Sequence, residues 1–252
     1  MSLIHDEAVV LRRLDYSETS QVLLLFTREH GKVRAIAKGI KRSTKARFAV
    51  GVDLLDVGHV VLSSRREGSE ALATLTEWRP TQSLWGLREK LFRIHAAQYA
   101  AEVTAQLTED GDPHPELFDA LLSTIAALTD AAEVLELITK YQLTLLDSIG
   151  SLPRFDACVL CEREEDLTHF SSHQGGLICR HCEAGQVEKR EISVGTIKAL
   201  GASTLQNDHC SQSSGTQAGV FTVLNYHIAH LMGREPVMGS TLVSKSAQRL
   251  VE

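Results

Sequence analysis

Hydrophobic and polar positions change their period along the chain, and the changes predict how it is organised. Over the first eighty residues apolar positions either alternate or run continuously, the pattern of strands. Ala8-Val9-Val10-Leu11-Arg12-Arg13 predicts one strand, and Gln21–Thr27 predicts a second that is apolar enough to be buried on both faces. Glu29-His30-Gly31-Lys32 predicts a hairpin turn in which Gly31 is free to take a positive φ. In residues 32–38, Val33, Ala35 and Ala37 alternate with Lys32, Arg34, Ile36 and Lys38, which points several cations to one side of a sheet. Residues 53–62 and 71–78 supply two more strands around a turn at Glu67-Gly68. Five short strands in so short a stretch predict a small closed barrel of the OB-fold type.

From about Ser83 the period becomes helical. Leu84, Leu87, Leu91, Ile94 and His95 recur at three- and four-residue steps and continue through Tyr99, Val103 and Leu107. Pro113 and Pro115 mark the start of a second helix along Leu117, Leu121, Leu122, Ile125 and Leu128. A third follows Val134, Leu137, Ile138, Tyr141, Leu145 and Leu146, and is stopped by Gly150 and Pro153. Residues 194–205 predict a short helix, 207–215 a polar loop, and Val220, Leu224, His227 and Leu231 line a last helix. The predicted class is α+β. An OB-fold barrel occupies 1–80, an all-α domain 81–157 and 188–252, and a small module 158–187 is inserted between helices.

That module carries the sharpest chemistry. Cys158, Cys161, Cys179 and Cys182 form two C-x2-C turns, and Gln174-Gly175-Gly176-Leu177-Ile178 reads as a turn and short strand delivering the second pair. Two thiolates three residues apart share a tetrahedral metal readily, and a second such turn completes the shell. The expectation is one structural zinc ion, because four sulfurs leave no position open for substrate or water. His169, His173 and His181 lie nearby and are expected to be bystanders.

Composition and charge refine this picture. With 43% hydrophobic and 23% charged residues the chain reads as globular, without a run long enough to span a membrane or an apolar leader. Cysteines in metal spacing suit a reducing cytoplasm, and Cys210 is expected to be a free thiol. The net charge of −6 divides unevenly, +3 over residues 1–80 and −9 over the remainder. Within 28–47, eight cations (Arg28, Lys32, Arg34, Lys38, Lys41, Arg42, Lys45, Arg47) face Glu29 alone. One basic face on an acidic protein predicts a localised polyanion site.

Several enzymatic signatures are missing. No G-x-x-x-x-G-K-[ST] loop, Gly-x-Ser-x-Gly elbow or His-Glu-x-x-His helix occurs. His181-Cys182-Glu183 lacks the downstream Pro-Cys-x-x-Cys that zinc deaminases need. The expectation is a protein without turnover. The alternatives are a nucleic-acid-processing enzyme, or a structural protein–protein adaptor with a zinc staple.

The order of these parts, with particular strings, resembles the bacterial RecO family of recombination mediators. The carrying strings are Val9-Val10-Leu11-Arg12-Arg13-Leu14-Asp15-Tyr16-Ser17-Glu18-Thr19-Ser20, Leu25-Phe26-Thr27-Arg28-Glu29-His30-Gly31-Lys32 and Ala35-Ile36-Ala37-Lys38-Gly39-Ile40-Lys41-Arg42. Farther on are Leu145-Leu146-Asp147-Ser148-Ile149-Gly150-Ser151-Leu152-Pro153, Gly175-Gly176 before Cys179, and a closing helix over 224–232 followed by Gly239-Ser240. The resemblance implies single- and double-stranded DNA binding, strand annealing, and recombinase loading with RecR and the acidic C-terminal tail of single-strand-binding protein. It also implies a cytoplasmic, nucleoid-associated location. Gly239-Ser240 stands where the family pattern leads one to expect Lys-Ser. Arg88, Lys90, Arg93 and Lys140 are the cations available to an acidic tail.

Arg34, Lys38, Lys41, Arg42, Lys45 and Arg47 are the expected DNA contacts, with Arg12 and Arg13 second because neighbours in a strand face opposite ways. Binding through about four to six phosphates predicts a log–log salt slope of roughly −3 to −4 on single strands. Of the barrel aromatics, Phe26 is expected in the core, whereas Tyr16 and Phe48 adjoin turns and are candidates for stacking on bases. Trp78 is the remaining one.

Overall fold

The computed structural model describes residues 2–39, 52–64, 72–82, 84–204 and 214–248. The chain forms two compact units, Met1–Ala131 and Ala132–Glu252.

The first unit is built on a closed, OB-like five-stranded barrel in the order β1-β2-β3-β5-β4, as the alternating pattern predicts. Its strands are β1 (Ser2–Asp15), β2 (Gln21–Thr27), β3 (Gly31–Ala37), β4 (Val57–Ser64) and β5 (Ala73–Pro80). Strand β1 is longer than its apolar run because it serves two neighbours. Ser2 to Val9 pair with β4, and Ala8 to Asp15 pair with β2. A bulge between Val10 and Arg12 lets it bend from one to the other. Ala8, Val10, Leu23, Leu25, Ala35, Ala37, Val60, Leu62, Leu75 and Trp78 fill the interior.

The hairpin at Gly31 needs glycine twice over. Its φ is +63°, and a Cβ there would lie 2.0 Å from the carbonyl oxygen of Asp112. The loop after α2 thus rests directly on the β2–β3 turn.

The first long helical stripe is two helices, α1 (Trp85–Glu89) and α2 (Leu91–Leu107), broken where Lys90 takes an extended conformation. The buried side of α2 keeps Tyr99 and Val103 of the expected stripe but is otherwise lined mostly by alanines. Leu91 is exposed, while Ala96, Ala97, Tyr99, Ala100, Ala101, Val103 and Ala105 are buried. The small side chains among them let the helix lie close against its neighbours. Helix α3 (Pro115–Leu128) begins at its proline as expected and buries Leu117, Phe118, Leu121, Ile125 and Leu128. Arg93, buried on α2, donates to the carbonyls of Thr129 and Ala131 beyond the end of α3.

In the second unit α4 (Val134–Ser148) packs on α6 (Ser214–Met232), which also carries α5 (Val194–Thr204) and α7 (Gly239–Gln248). Helix α7 extends the helical order beyond the expected last helix. Gly239 opens it at a point where a Cβ would meet Asn225 Oδ1 of α6 at 2.8 Å. The glycine found in place of an expected lysine is thus a close-approach residue. Between α4 and α5 lies a three-stranded sheet ordered β7-β6-β8, from β6 (Leu167–Ser171), β7 (Gly176–Cys179) and β8 (Arg190–Glu191). Phe170 of β6 joins this sheet to α6, with its ring 5.8 Å from that of His227 and 6.4 Å from that of Tyr226, both edge-on.

Candidate nucleic-acid interface and metal centre

Register fixes which side chains share the outer face of β1-β2-β3. Arg12 pairs with Leu24, which pairs with Arg34, so the three form one row across the sheet. Two residues along each strand the next row is Leu14, Val22 and Ile36. Lys38 follows β3 beside the β1–β2 turn, and it is exposed, as are Arg12 and Arg34. Period two thus puts Arg12 and Arg34 on one face, and Lys38, exposed in the turn just past β3, lies at the edge of that face.

Arg13, next in sequence to Arg12, faces the other way. It shares a row with the buried Leu23, and its guanidinium lies 3.0 Å from Asp53. Arg88 reaches the same carboxylate at 3.3 Å, so neither belongs to the outer cationic face. Lys32 is also removed from it. Its ammonium is buried, donates to the carbonyls of Ala105 (2.9 Å) and Thr108 (2.5 Å) at the end of α2, and sits 3.3 Å from Asp110. Alternation gives its side of the sheet but not the helix that covers it. Arg34 is 3.1 Å from the other oxygen of Asp110, with both partners well exposed. Such a pair is worth about 0–1 kcal/mol, so a phosphate can compete for Arg34 at little cost. Among the described residues no carboxylate pairs with Arg12 or Lys38. Lys41, Arg42, Lys45, Arg47 and Phe48 lie outside the described residues.

Of the described barrel aromatics, Phe26 and Trp78 are buried, Phe26 against Phe118 of α3 with ring centroids 6.0 Å apart. Tyr16 is 69% exposed. Among the candidate cations for an acidic tail, Arg93 is spent on backbone carbonyls, Arg88 on Asp53 and Lys140 on Glu136, while Lys90 is exposed.

The four cysteines converge as their spacing predicts, with all sulfurs within 4.8 Å of one another. Cys161 Sγ and Cys179 Sγ are 3.7 Å apart. A tetrahedral site with metal–sulfur bonds of about 2.3 Å has edges of about 3.8 Å, so the donor set can hold a metal ion. The local fold makes each turn. Glu162 N–H donates to the Cys158 carbonyl (2.9 Å), and Cys182 N–H donates to the Cys179 carbonyl (3.0 Å). Gly176 lets β7 pass within reach of Arg154 and Val159, where a Cβ would meet the Arg154 carbonyl at 2.5 Å. Burial works to raise the Cys158 thiol, but backbone N–H groups aimed at its sulfur outweigh that and lower its pKa to about 6. Hydrogen bonding with Cys161, then Cys179, pushes Cys182 up to about 12. A thiolate held by amide donors beside three further sulfurs suits a cation. His169 is engaged by Glu183 at 2.8 Å, and His173 and His181 are exposed.

One Ser–His pair occurs in the second unit. Ser172 Oγ is 2.7 Å from His227 Nδ1, and His227 Nε2 faces the Ser151 carbonyl at 3.0 Å. Both residues are buried, and the ring is oriented by a backbone carbonyl and not by a carboxylate, so the pair acts as a latch between the small sheet and α6. Burial lowers the His227 pKa and favours the neutral ring that this latch requires. Beside it Glu188 accepts from Ser171 Oγ, Tyr226 OH and the N–H groups of Ser172 and His173. Those donors outweigh the opposing effect of burial and hold its carboxyl at about 2.

Comparison with known proteins matches two successive stretches of the chain. The family model described as Recombination protein O N terminal covers residues 1–84, and that described as Recombination protein O C terminal covers 88–237. A DNA repair protein RecO from Bacillus pumilus is 32% identical over 198 residues, covering 79% of this chain and 75% of that protein. That of Bacillus cytotoxicus is 36% identical over 180 residues, 70% of either chain. That of Bacillus cereus is 36% identical over 183 residues, 71% of either chain. With an OB-like barrel under the first match and the four-cysteine cluster under the second, the chain belongs to the RecO family of DNA repair proteins.

Proposed function

We propose that this chain is a non-enzymatic recombination mediator, which binds single- and double-stranded DNA on the outer face of β1-β2-β3. It would promote annealing there and help load recombinase together with RecR and single-strand-binding protein. The observation that carries this reading is the gathering of Arg12, Arg34 and Lys38 on one exposed surface of a family member whose total charge is −6. Phosphate contacts with counterion release supply the affinity, and neutralising two backbones together lowers their repulsion and leaves base edges free to pair. Lys41, Arg42, Lys45 and Arg47, which continue the chain just beyond Lys38, extend the contact set.

In the same reading the four cysteines hold one structural zinc ion, with every coordination position filled by sulfur. Of the cations weighed for the acidic tail of single-strand-binding protein, Lys90 alone keeps an exposed ammonium without a carboxylate among the described residues. The reading carries with it a cytoplasmic, nucleoid-associated location. Among the described residues no helix is long and apolar enough to cross a membrane.

The test is fluorescence anisotropy of labelled oligonucleotides across a salt series. Reversing Arg12, Arg34 and Lys38 to Glu together should weaken binding at least about tenfold at low salt. It should also flatten the single-strand salt slope by roughly 2, at about 0.7 for each phosphate no longer neutralised. The same is expected of reversal at Lys41, Arg42 and Lys45. Unchanged affinity in both variants overturns the assignment. Cleavage of DNA on prolonged incubation with magnesium would overturn the non-enzymatic part.

A further inference from the structure

The outer face of β1-β2-β3 is covered toward one end, and toward the other its side chains are at least partly exposed. Toward the β2–β3 turn, Phe26 is sealed by Phe118 of α3, and Lys32 lies under the end of α2. Toward the β1–β2 turn, Leu14, Val22 and Ile36 form an apolar row with Leu14 65% exposed and the other two partly so. Tyr16 projects from the turn at the end of this row. Adjacent strands are about 4.8 Å apart, so the row is about 10 Å across, the width of a nucleobase with room to slide. Arg12 and Arg34 lie along one side of the row and Lys38 near the other. Of the two acids nearest in sequence, Glu18 lies on the turn, and Asp15 points to the opposite side and accepts from the Gln21 amide.

We propose that this apolar row, with Tyr16, is a base-binding strip, and that it makes the barrel favour single-stranded over double-stranded DNA. The inference rests on the DNA-binding reading above and deepens it by assigning the bases, as well as the phosphates, to named side chains. An apolar strip flanked by cations is complementary to a strand whose bases are unpaired. Aromatic and aliphatic side chains take the faces of the bases while arginine and lysine take the backbone. A duplex hides those base faces within its stack and can use the cations alone. Leu14 and Tyr16 are the side chains of the strip most open to solvent, so replacing them leaves the barrel interior untouched.

The experiment uses the full-length chain and measures affinity for a labelled oligothymidine and for a labelled duplex of equal length at one salt concentration. The double variant Leu14→Ser, Tyr16→Ala should lose about tenfold in single-strand affinity, the effect of removing a base-stacking side chain. Its duplex affinity should stay within about twofold. The salt slope should not change, because every phosphate partner is retained. Tyr16→Trp should retain single-strand affinity, and iodouracil in the oligonucleotide should photo-crosslink to Tyr16. Equal losses on both nucleic acids, or no loss on the single strand, overturn the inference while leaving phosphate binding intact. Weakened binding of a partner protein with single-strand affinity unchanged assigns the strip to protein and overturns it equally. If the unaltered protein bound neither oligonucleotide at low salt, the DNA-binding reading itself would fall.

Discussion

At Gly31 a single hydrogen in place of a methyl group decides whether the loop after α2 can reach the barrel. The positive φ alone disfavours an L side chain by about 1–2 kcal/mol, and the Asp112 backbone occupies the place of a Cβ. Gly31→Ala should therefore destabilise the first unit by more than that conformational penalty, read as a lower urea midpoint. Removing the Asp112 side chain in the same variant should not rescue it, because the collision is with backbone. The glycine and its turn are legible in the sequence, since Gly between polar residues and two apolar runs has few other uses. The opposing carbonyl is not, because Asp112 is far away along the chain. Arg12 and Arg13 show the same division. Alternation requires that they face apart, but Asp53 and the partners across β2 decide which one is left on the outside.

Among the elements, α6 and the small sheet are joined by buried polar groups with a predictable pH response. His227 is lowered below its ordinary 6.5, so its contribution is complete above that pH and is lost as the ring is forced to protonate in acid. Glu188 is lowered from 4.5 to about 2, so its contribution follows the same sign and is lost as pH falls from 4.5 toward 2. Stability of the second unit should therefore decline in two stages below pH 6.5, monitored as melting temperature. His227→Gln, whose amide can still accept from Ser172 and donate to the Ser151 carbonyl, should shrink the first stage and leave the second. At this scale the helical periods of α3 and α4 are legible because each has one continuous apolar stripe and one boundary signal, Pro115 at the start of α3 and Gly150 just past the end of α4. The face of α2 is legible only in part, at Tyr99 and Val103. It buries alanines, which carry little hydropathic signal, and the close approach they permit has meaning only against the surface they approach.

For the whole molecule, the cysteine cluster and the cationic face lie in different compact units, and their chemistry should separate in experiment. Cys158→Ser or Cys179→Ser, or chelation of the intact protein, should remove the proposed metal ion and lower the melting temperature. Each kcal/mol of destabilisation corresponds to about 2–4 °C for a chain of this size. DNA affinity of the variant should remain within about twofold of the unaltered protein. Unchanged melting with normal metal content would contradict the metal assignment. The sequence by itself determined the OB-like barrel, a helical region after it and the four-cysteine cluster. All of these rest on short-range regularities, namely period two, period three to four, and ligand spacing across a tight turn. Only the tertiary structure decided that Lys32 is buried while Arg34 is not, that Arg93 caps backbone rather than meeting solvent, and that Leu14 and Tyr16 stand uncovered. The cause is physical. Exposure and neutralisation depend on which distant element arrives over a residue, and that is a property of packing, not of local pattern.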